Sequence, residues 1–161
     1  MRLTAFTDYG LRALMRLAGE PDRMFTTDEI ADEFAISSNH LTKIVRELAD
    51  AGFISTHRGA GGGFRLARPA DAISLGDVVR HLEDRQALVE CFRADGGDCV
   101  LTPRCRLKSR LAAARRAFIA ELEKSSLAGC AYPAPRGPRT PPSPPARKKS
   151  ARARASSKAT E

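Results

Sequence analysis

The sequence predicts a mostly α-helical protein with a small β-wing: a winged helix-turn-helix domain followed by a long dimerisation helix. Three observations predict it. Two short helical segments meet at a tight break, "AISS". Two β-like runs flanking a glycine cluster follow directly. One long amphipathic segment lies beyond both.

The first helix spans 4–18, where Phe6, Tyr9, Ala13, Leu14 and Leu17 recur at helical spacing. Thr4 suits its N-cap, and Gly19 and Pro21 end it. In "TTDEIADEF", Thr26 and Glu29 have the spacing of a capping box, and Ile30, Ala31 and Phe34 form the apolar side. After "AISS", the segment "NHLTKIVRELADAG" carries a stripe of Leu41, Ile44, Val45 and Leu48, with Gly52 placed to cap its C-terminus. Two short helices in this order form a helix-turn-helix candidate.

The period then changes. Runs at about 53–58 and 63–67 flank glycines able to take the positive φ angles of a hairpin turn. "SLGDVVRHLED", capped by Ser74, leads out of the domain. In "CRLKSRLAAARRAFIAELEKS", Leu107, Leu111, Ala114, Phe118 and Leu122 form one narrow stripe, with Arg, Glu and Lys opposite. Such a helix suits pairing with its own copy; the alternative is packing against helix 4–18 of the same chain. The chain thus divides into a winged domain at 1–82, a cysteine loop at 83–106, a dimerisation helix at 104–126 and a tail at 131–161.

Charge must be located before it is interpreted. The net charge is +8, yet residues 131–161 hold eight Lys/Arg against Glu161 alone. Residues 1–130 hold 19 Lys/Arg against 18 Asp/Glu, so any DNA contact there depends on placement. The tail also holds seven of the ten prolines. That composition predicts disorder, either as a solubilising tail or as a non-specific arm for DNA phosphates.

In a helix-turn-helix the second helix presents its outer face to the major groove. Asn39, Thr42, Lys43 and Arg46 share that face here, with Ser37, Ser38 and His40 at the helix start. All are donors to phosphates or base edges. In the wing, Arg58, Arg65 and Arg68 flank Gly61 and Gly62, with no acidic residue from 53 to 70. Thin, arginine-flanked backbone suits a narrow minor groove. "GAGGG" is followed by neither Gly-Lys-Ser/Thr nor a helix, which argues against a nucleotide loop. No catalytic arrangement or dinucleotide fingerprint points to an enzyme. The reading is a duplex-DNA binder.

No apolar run approaches the roughly 18 residues of a membrane span, and the N-terminus enters a polar helix directly, so a cytoplasmic protein is expected. Structural disulfides are then disfavoured, which gives weight to "CFRADGGDCVLTPRC". Its spacing, C-x7-C-x5-C, is too wide for the usual zinc pairs and suits thiolates wrapping an iron–sulfur core. On spacing alone, iron–sulfur, zinc and thiol-switch readings all remain open. Cys130 lies apart, after the long helix.

The stretches "MRLTAFTDYGLRALMRLA", "SSNHLTKIVRELADAGFI", "RGAGGGFRLAR" and "LVECF…C…LTPRCRLK" together resemble NsrR, the nitric-oxide-sensing branch of the iron–sulfur winged-helix repressors that also include IscR. The resemblance covers about residues 1–128. It implies a homodimeric repressor of nitric oxide detoxification genes that releases operator DNA on nitrosylation. It also implies a 4Fe-4S cluster on Cys91, Cys99 and Cys105, with Asp8 of the partner subunit as fourth ligand. The alternative for Asp8 is a surface ion pair with Arg12. An IscR-like protein with a 2Fe-2S cluster, sensing cluster status or redox state, is the competing branch. It needs a histidine shortly after the third cysteine, where this chain has Arg106, Leu107 and Lys108.

Overall fold

Side-chain caps set the helix starts of the computed structural model, which describes residues 2–84 and 86–133. Helix α1, Ala5–Gly19, begins where Thr4 Oγ1 accepts from the Thr7 amide at 3.2 Å. Helix α2, Thr27–Phe34, begins where Thr26 Oγ1 accepts from the Glu29 amide at 3.2 Å. The Glu29 carboxylate pairs with Arg23. Each cap satisfies a backbone donor that the first helical turn leaves open.

Between α2 and helix α3, Ser38–Asp50, the chain turns through Ala35 in the left-handed conformation, φ 53°. The Ile36 amide then bonds the Ala31 carbonyl at 2.8 Å, and Ile36 is buried. Beyond α3, Gly52 adopts φ 73° and lets the Phe53 amide reach the Leu48 carbonyl at 3.0 Å, the C-terminal arrangement expected of that glycine. The predicted stripe of Leu41, Ile44, Val45 and Leu48 is buried.

Strands β1, Ile54–His57, and β2, Gly63–Leu66, pair antiparallel with Ile54 opposite Leu66 and His57 opposite Gly63. Phe25 adds two backbone bonds to Phe64, 2.9 and 2.8 Å, so the hairpin is fastened to the segment before α2. Helix α4, Leu75–Glu83, is capped by Ser74 Oγ accepting from the Asp77 amide at 3.3 Å. Leu14, Leu17, Ile30, Ile44, Ile54, Phe64, Val78 and Leu82 belong to one core shared by α1 to α4 and the hairpin.

One charge is enclosed in this unit. Arg16 of α1 is 2% exposed and donates to Glu20 at 2.6 Å and to Glu33 of α2 at 3.0 Å. Its guanidinium also lies over the Phe25 ring, 4.7 Å from the centroid. Burial pulls the Arg16 pKa down, but the hydrogen bonds to Glu20 and Glu33 prevail and leave it raised.

Helix α5, Arg106–Glu123, packs mainly on α4. At the crossing, a Cβ on Gly76 would meet Glu123 N at 2.8 Å and the Ile119 carbonyl at 2.9 Å, so only glycine permits this approach. The alternative of packing against helix 4–18 is therefore not the main contact. Of the stripe of Leu107, Leu111, Ala114, Phe118 and Leu122, Leu111, Phe118 and Leu122 are partly covered, and Leu107 and Ala114 are exposed. No stripe residue is buried, and Leu107 is 61% exposed.

The chain then returns to the core. The Leu75 amide bonds the Ser125 carbonyl at 3.0 Å, and the Leu127 amide bonds the Ile73 carbonyl at 2.8 Å. Leu127 is fully buried. Residues 131–133, expected as part of the tail, continue along the domain: the Tyr132 amide bonds the Met15 carbonyl at 2.8 Å. The expectation of disorder for the rest, 134–161, lies outside the described residues. No described helix is long and apolar enough to cross a membrane.

Candidate nucleic-acid interface and cysteine loop

Burying the apolar stripe of α3 aims its opposite face outward. Ser37, Ser38, Asn39, Thr42, Lys43 and Arg46 are all exposed. Ser37 makes no side-chain cap bond. Thr42 Oγ1 donates to the Ser38 carbonyl at 2.8 Å, and so keeps its lone pairs for an incoming donor. Arg46 and Asp50 approach only to 3.9 Å with both side chains largely solvated, a pair too loose to hold the guanidinium back. His40 differs from its neighbours. It is half-buried, its ring 5.5 Å from Tyr9 edge-on and 6.0 Å from Phe6, so it braces α3 against α1 as well as bordering the exposed face.

The wing distributes its arginines along its length. Arg58 lies at the hairpin tip, Arg65 points outward from β2, and Arg68 stands at the base. The Arg68 guanidinium lies 5.4 Å from the Phe53 ring centroid, which orients it without neutralising it. Gly61 has φ 74° and open space around it, so its role is conformational. Gly62 is needed for another reason: its amide bonds the Gly59 carbonyl at 2.9 Å, and a Cβ there would strike the His57 and Gly59 carbonyls.

Two fixtures of this interface were not legible in the sequence. Phe25 extends the wing sheet, yet an isolated Phe between Met24 and Thr26 carries no strand alternation. Glu47, on the inner flank of α3, comes within 3.0 Å of His81 Nε2 on α4. His81 also meets the Phe53 ring edge-on at 6.0 Å. Thr4 adds a second link, donating its amide and hydroxyl to Glu83 at 2.8 and 2.9 Å. Both α3 and the start of α1 are thus held by the helix that leads into the cysteine loop.

The loop itself contains two single-turn helices, Glu90–Phe92 and Thr102–Arg104. Gly96 and Gly97 turn it with φ of 81° and 60°. The Gly97 amide bonds Asp95 Oδ1 at 3.0 Å, the Asp98 amide bonds Glu90 Oε1 at 3.2 Å, and the Thr102 amide bonds the Cys99 carbonyl at 3.0 Å. Cys91, Cys99 and Cys105 form no disulfide and are half-buried, and Cys105 immediately precedes α5. Val100 and Leu101 beside them are 90% and 65% exposed.

Three soft thiols on one loop fit the donor chemistry of an iron–sulfur cluster. They are not yet gathered: among the described residues no three His, Cys, Asp or Glu side chains stand together in a metal-holding arrangement. Asp8 is half-exposed on α1, and Arg12 grips it with two bonds, 2.6 and 3.2 Å. Cys130 is half-buried in the turn Leu127–Cys130, away from the loop in sequence.

A buried three-helix unit, an exposed polar helix face and a basic two-stranded wing define a winged-helix DNA-binding transcription regulator. A family model described as "Rrf2: Iron-dependent Transcriptional regulator" matches residues 3–131, and the chain belongs to the Rrf2 family. Solved structures agree. The oxidized form of Staphylococcus aureus CymR is 27% identical, with a TM-score of 0.64, over 81% of this chain and 96% of that one. CymR of B. subtilis, described as its global cysteine regulator, is 28% identical, with a TM-score of 0.61, over 79% and 93%. T. potens IscR is 26% identical, with a TM-score of 0.61, over 80% and 84%.

Proposed function

We propose that this regulator is a cytoplasmic homodimeric repressor of the NsrR type, which senses nitric oxide and thereby controls nitric oxide detoxification genes. The observation that carries the proposal is the cysteine loop: three half-buried thiols on one glycine-turned segment that joins α4 to α5. Cys91, Cys99 and Cys105 would hold a 4Fe-4S cluster, with Asp8 of the partner subunit as fourth ligand. A cluster bound there would supply iron for which nitric oxide has high affinity. A carboxylate would be a weaker ligand than a thiolate to such iron, so Asp8 would be the most readily displaced of the four.

The remaining steps belong to the chain's own residues. Asp8 must leave Arg12 to serve the partner subunit, and it returns to Arg12 when released. That exchange moves α1, which is joined to α4 through Thr4 and Glu83. Helix α4 meets α3 at His81 and Glu47, so a shift in α1 or α4 reaches the recognition helix. In this reading Asn39, Thr42, Lys43 and Arg46 contact the major groove, with Ser37, Ser38 and His40 at its edge. Arg58, Gly61, Gly62, Arg65 and Arg68 form the minor-groove wing. The unburied stripe of α5 pairs with its copy, placing two recognition helices on one face of a duplex.

A second reading is a regulator of the same fold that senses redox state or cluster status, including a 2Fe-2S form. The likeness to CymR and IscR, at 26–28% identity, favours it. Anaerobic purification with iron and sulfide analysis, followed by stoichiometric nitric oxide, separates the two. About four irons per subunit, and operator binding lost in parallel with the visible band, is the expected result. About two irons, or DNA release by thiol oxidants but not by nitric oxide, would move the protein to the second reading.

A further inference from the structure

Between α4, α5 and the cysteine loop lies a hollow of about 670 Å³. Arg115, Arg116 and Ile119 line it from α5, Arg80 and Asp84 from α4 and its C-terminus, and Phe92 from the loop. Ala112 and Ala120, one turn to either side of Arg116, keep the α5 wall low. The volume falls in the range of roughly 300–1,000 Å³ usual for small-molecule sites.

The charges on this hollow are not all spoken for. Arg80 is held: it donates to Asp77 Oδ1 at 2.6 Å and pairs with Glu123. Arg115, Arg116 and Asp84 differ, because among the described residues none of their side chains makes a hydrogen bond or ion pair. Arg115 is half-buried all the same. Two adjacent open guanidinium groups suit a carboxylate, which a planar fork takes through two bonds. Asp84 restricts the rest of the ligand: it repels a second negative charge and accepts from an ammonium or hydroxyl. Phe92 and Ile119 supply an apolar wall.

We infer that this hollow binds a small monocarboxylic acid bearing an amino or hydroxyl group and an apolar body. The carboxylate meets Arg115 and Arg116, the donor meets Asp84, and the body lies against Phe92 and Ile119. None of these residues belongs to the α5 stripe assigned to pairing with a second copy. The site needs neither a cluster nor nitric oxide, so it stands or falls apart from the reading of the cysteines.

The test is calorimetric titration of the full chain, at one fixed cofactor content, with five probes. L-Phenylalanine and phenyllactate carry all three groups. 3-Phenylpropanoate lacks the donor for Asp84, phenethylamine lacks the carboxylate, and inorganic phosphate lacks the body. One of the first two should bind at least about tenfold more tightly than each of the other three. Changing Arg115→Gln and Arg116→Gln together should weaken that binding by about tenfold or more, and Asp84→Asn by about threefold. Arg110→Gln removes an exposed α5 charge outside the hollow and should leave binding unchanged.

Absence of saturable binding by every probe in the millimolar range overturns the site. An equal loss on Arg110→Gln overturns it as well, because overall charge would then be the agent. Phosphate binding as tightly as L-phenylalanine leaves a plain anion contact in its place. Binding seen only after dilution to the monomer gives the hollow to a second copy of the chain.

Discussion

The winged unit and the α5 arm obey different rules. From Gly10 to Leu82 buried residues recur in every helix and both strands, and even a guanidinium is enclosed with two carboxylates. From Glu83 to Ser126 no described residue is buried, and Val100, Leu101 and Leu107 stand in solvent. Both ends of that excursion are nonetheless stitched to the core, at Leu75–Ser125 and Ile73–Leu127. One region is complete within a single chain. The other has a defined place but an unfinished surface, which suits the proposed pairing with a second copy and the proposed cluster.

Substitutions in the two regions should therefore separate cleanly. The largest effect belongs to the core: Ile44→Ala should cost about 2–5 kcal/mol of unfolding free energy. Leu107→Ala, in a protein kept monomeric by dilution, should cost less than about 0.5 kcal/mol. Denaturant titration of both variants checks the contrast, and equal losses would break it. Sedimentation should show the reverse order, with Leu107→Ala weakening the dimer.

Next in size is the seam between the regions. Gly76→Val sets a side chain against the backbone of α5 and should cost about 1–3 kcal/mol. It should also alter protease cutting in residues 86–105 before the winged unit melts. Cys99→Ser should change the melting of the cofactor-free protein little, because Cys99 takes no part in the core, yet abolish iron binding on reconstitution.

Within the winged unit, Arg46→Gln should reduce operator affinity by about 1–3 kcal/mol while leaving stability within about 0.5 kcal/mol, since its side chain is 85% exposed. A smaller effect is expected at Ala35. Replacing it with Gly relieves a left-handed alanine but adds unfolded-state freedom, for a net gain of about 0.5 kcal/mol. A loss at that position would mean the Cβ does something beyond occupying the turn.

These outcomes track how far local sequence reached. Thr4, Thr26 and Ser74 were legible as caps because a cap depends on residues three positions apart. The stripes of α1 and α3 were legible because burial imposes the helical period on them. Ser37 stands at the N-cap of α3 without making the bond its type permits, and Ala35 takes the left-handed turn usually given to glycine. His40 reads as a DNA donor by position, and only the rings of Phe6 and Tyr9 show that it also braces α1.

Sequence by itself determined the element order, the outward face of α3, the basic wing and the grouping of three thiols in one loop. Each rests on period, spacing or composition within a few turns of chain. Tertiary structure alone decided that Arg16 is paired and buried, that Phe25 completes the wing and that Gly19 admits the Tyr132 backbone. It also decided that α5 crosses α4 at Gly76 and leaves Leu107 exposed and the rest of its apolar stripe unburied. Those facts depend on which distant surfaces meet, and a contact between residues a hundred positions apart leaves no period in either segment.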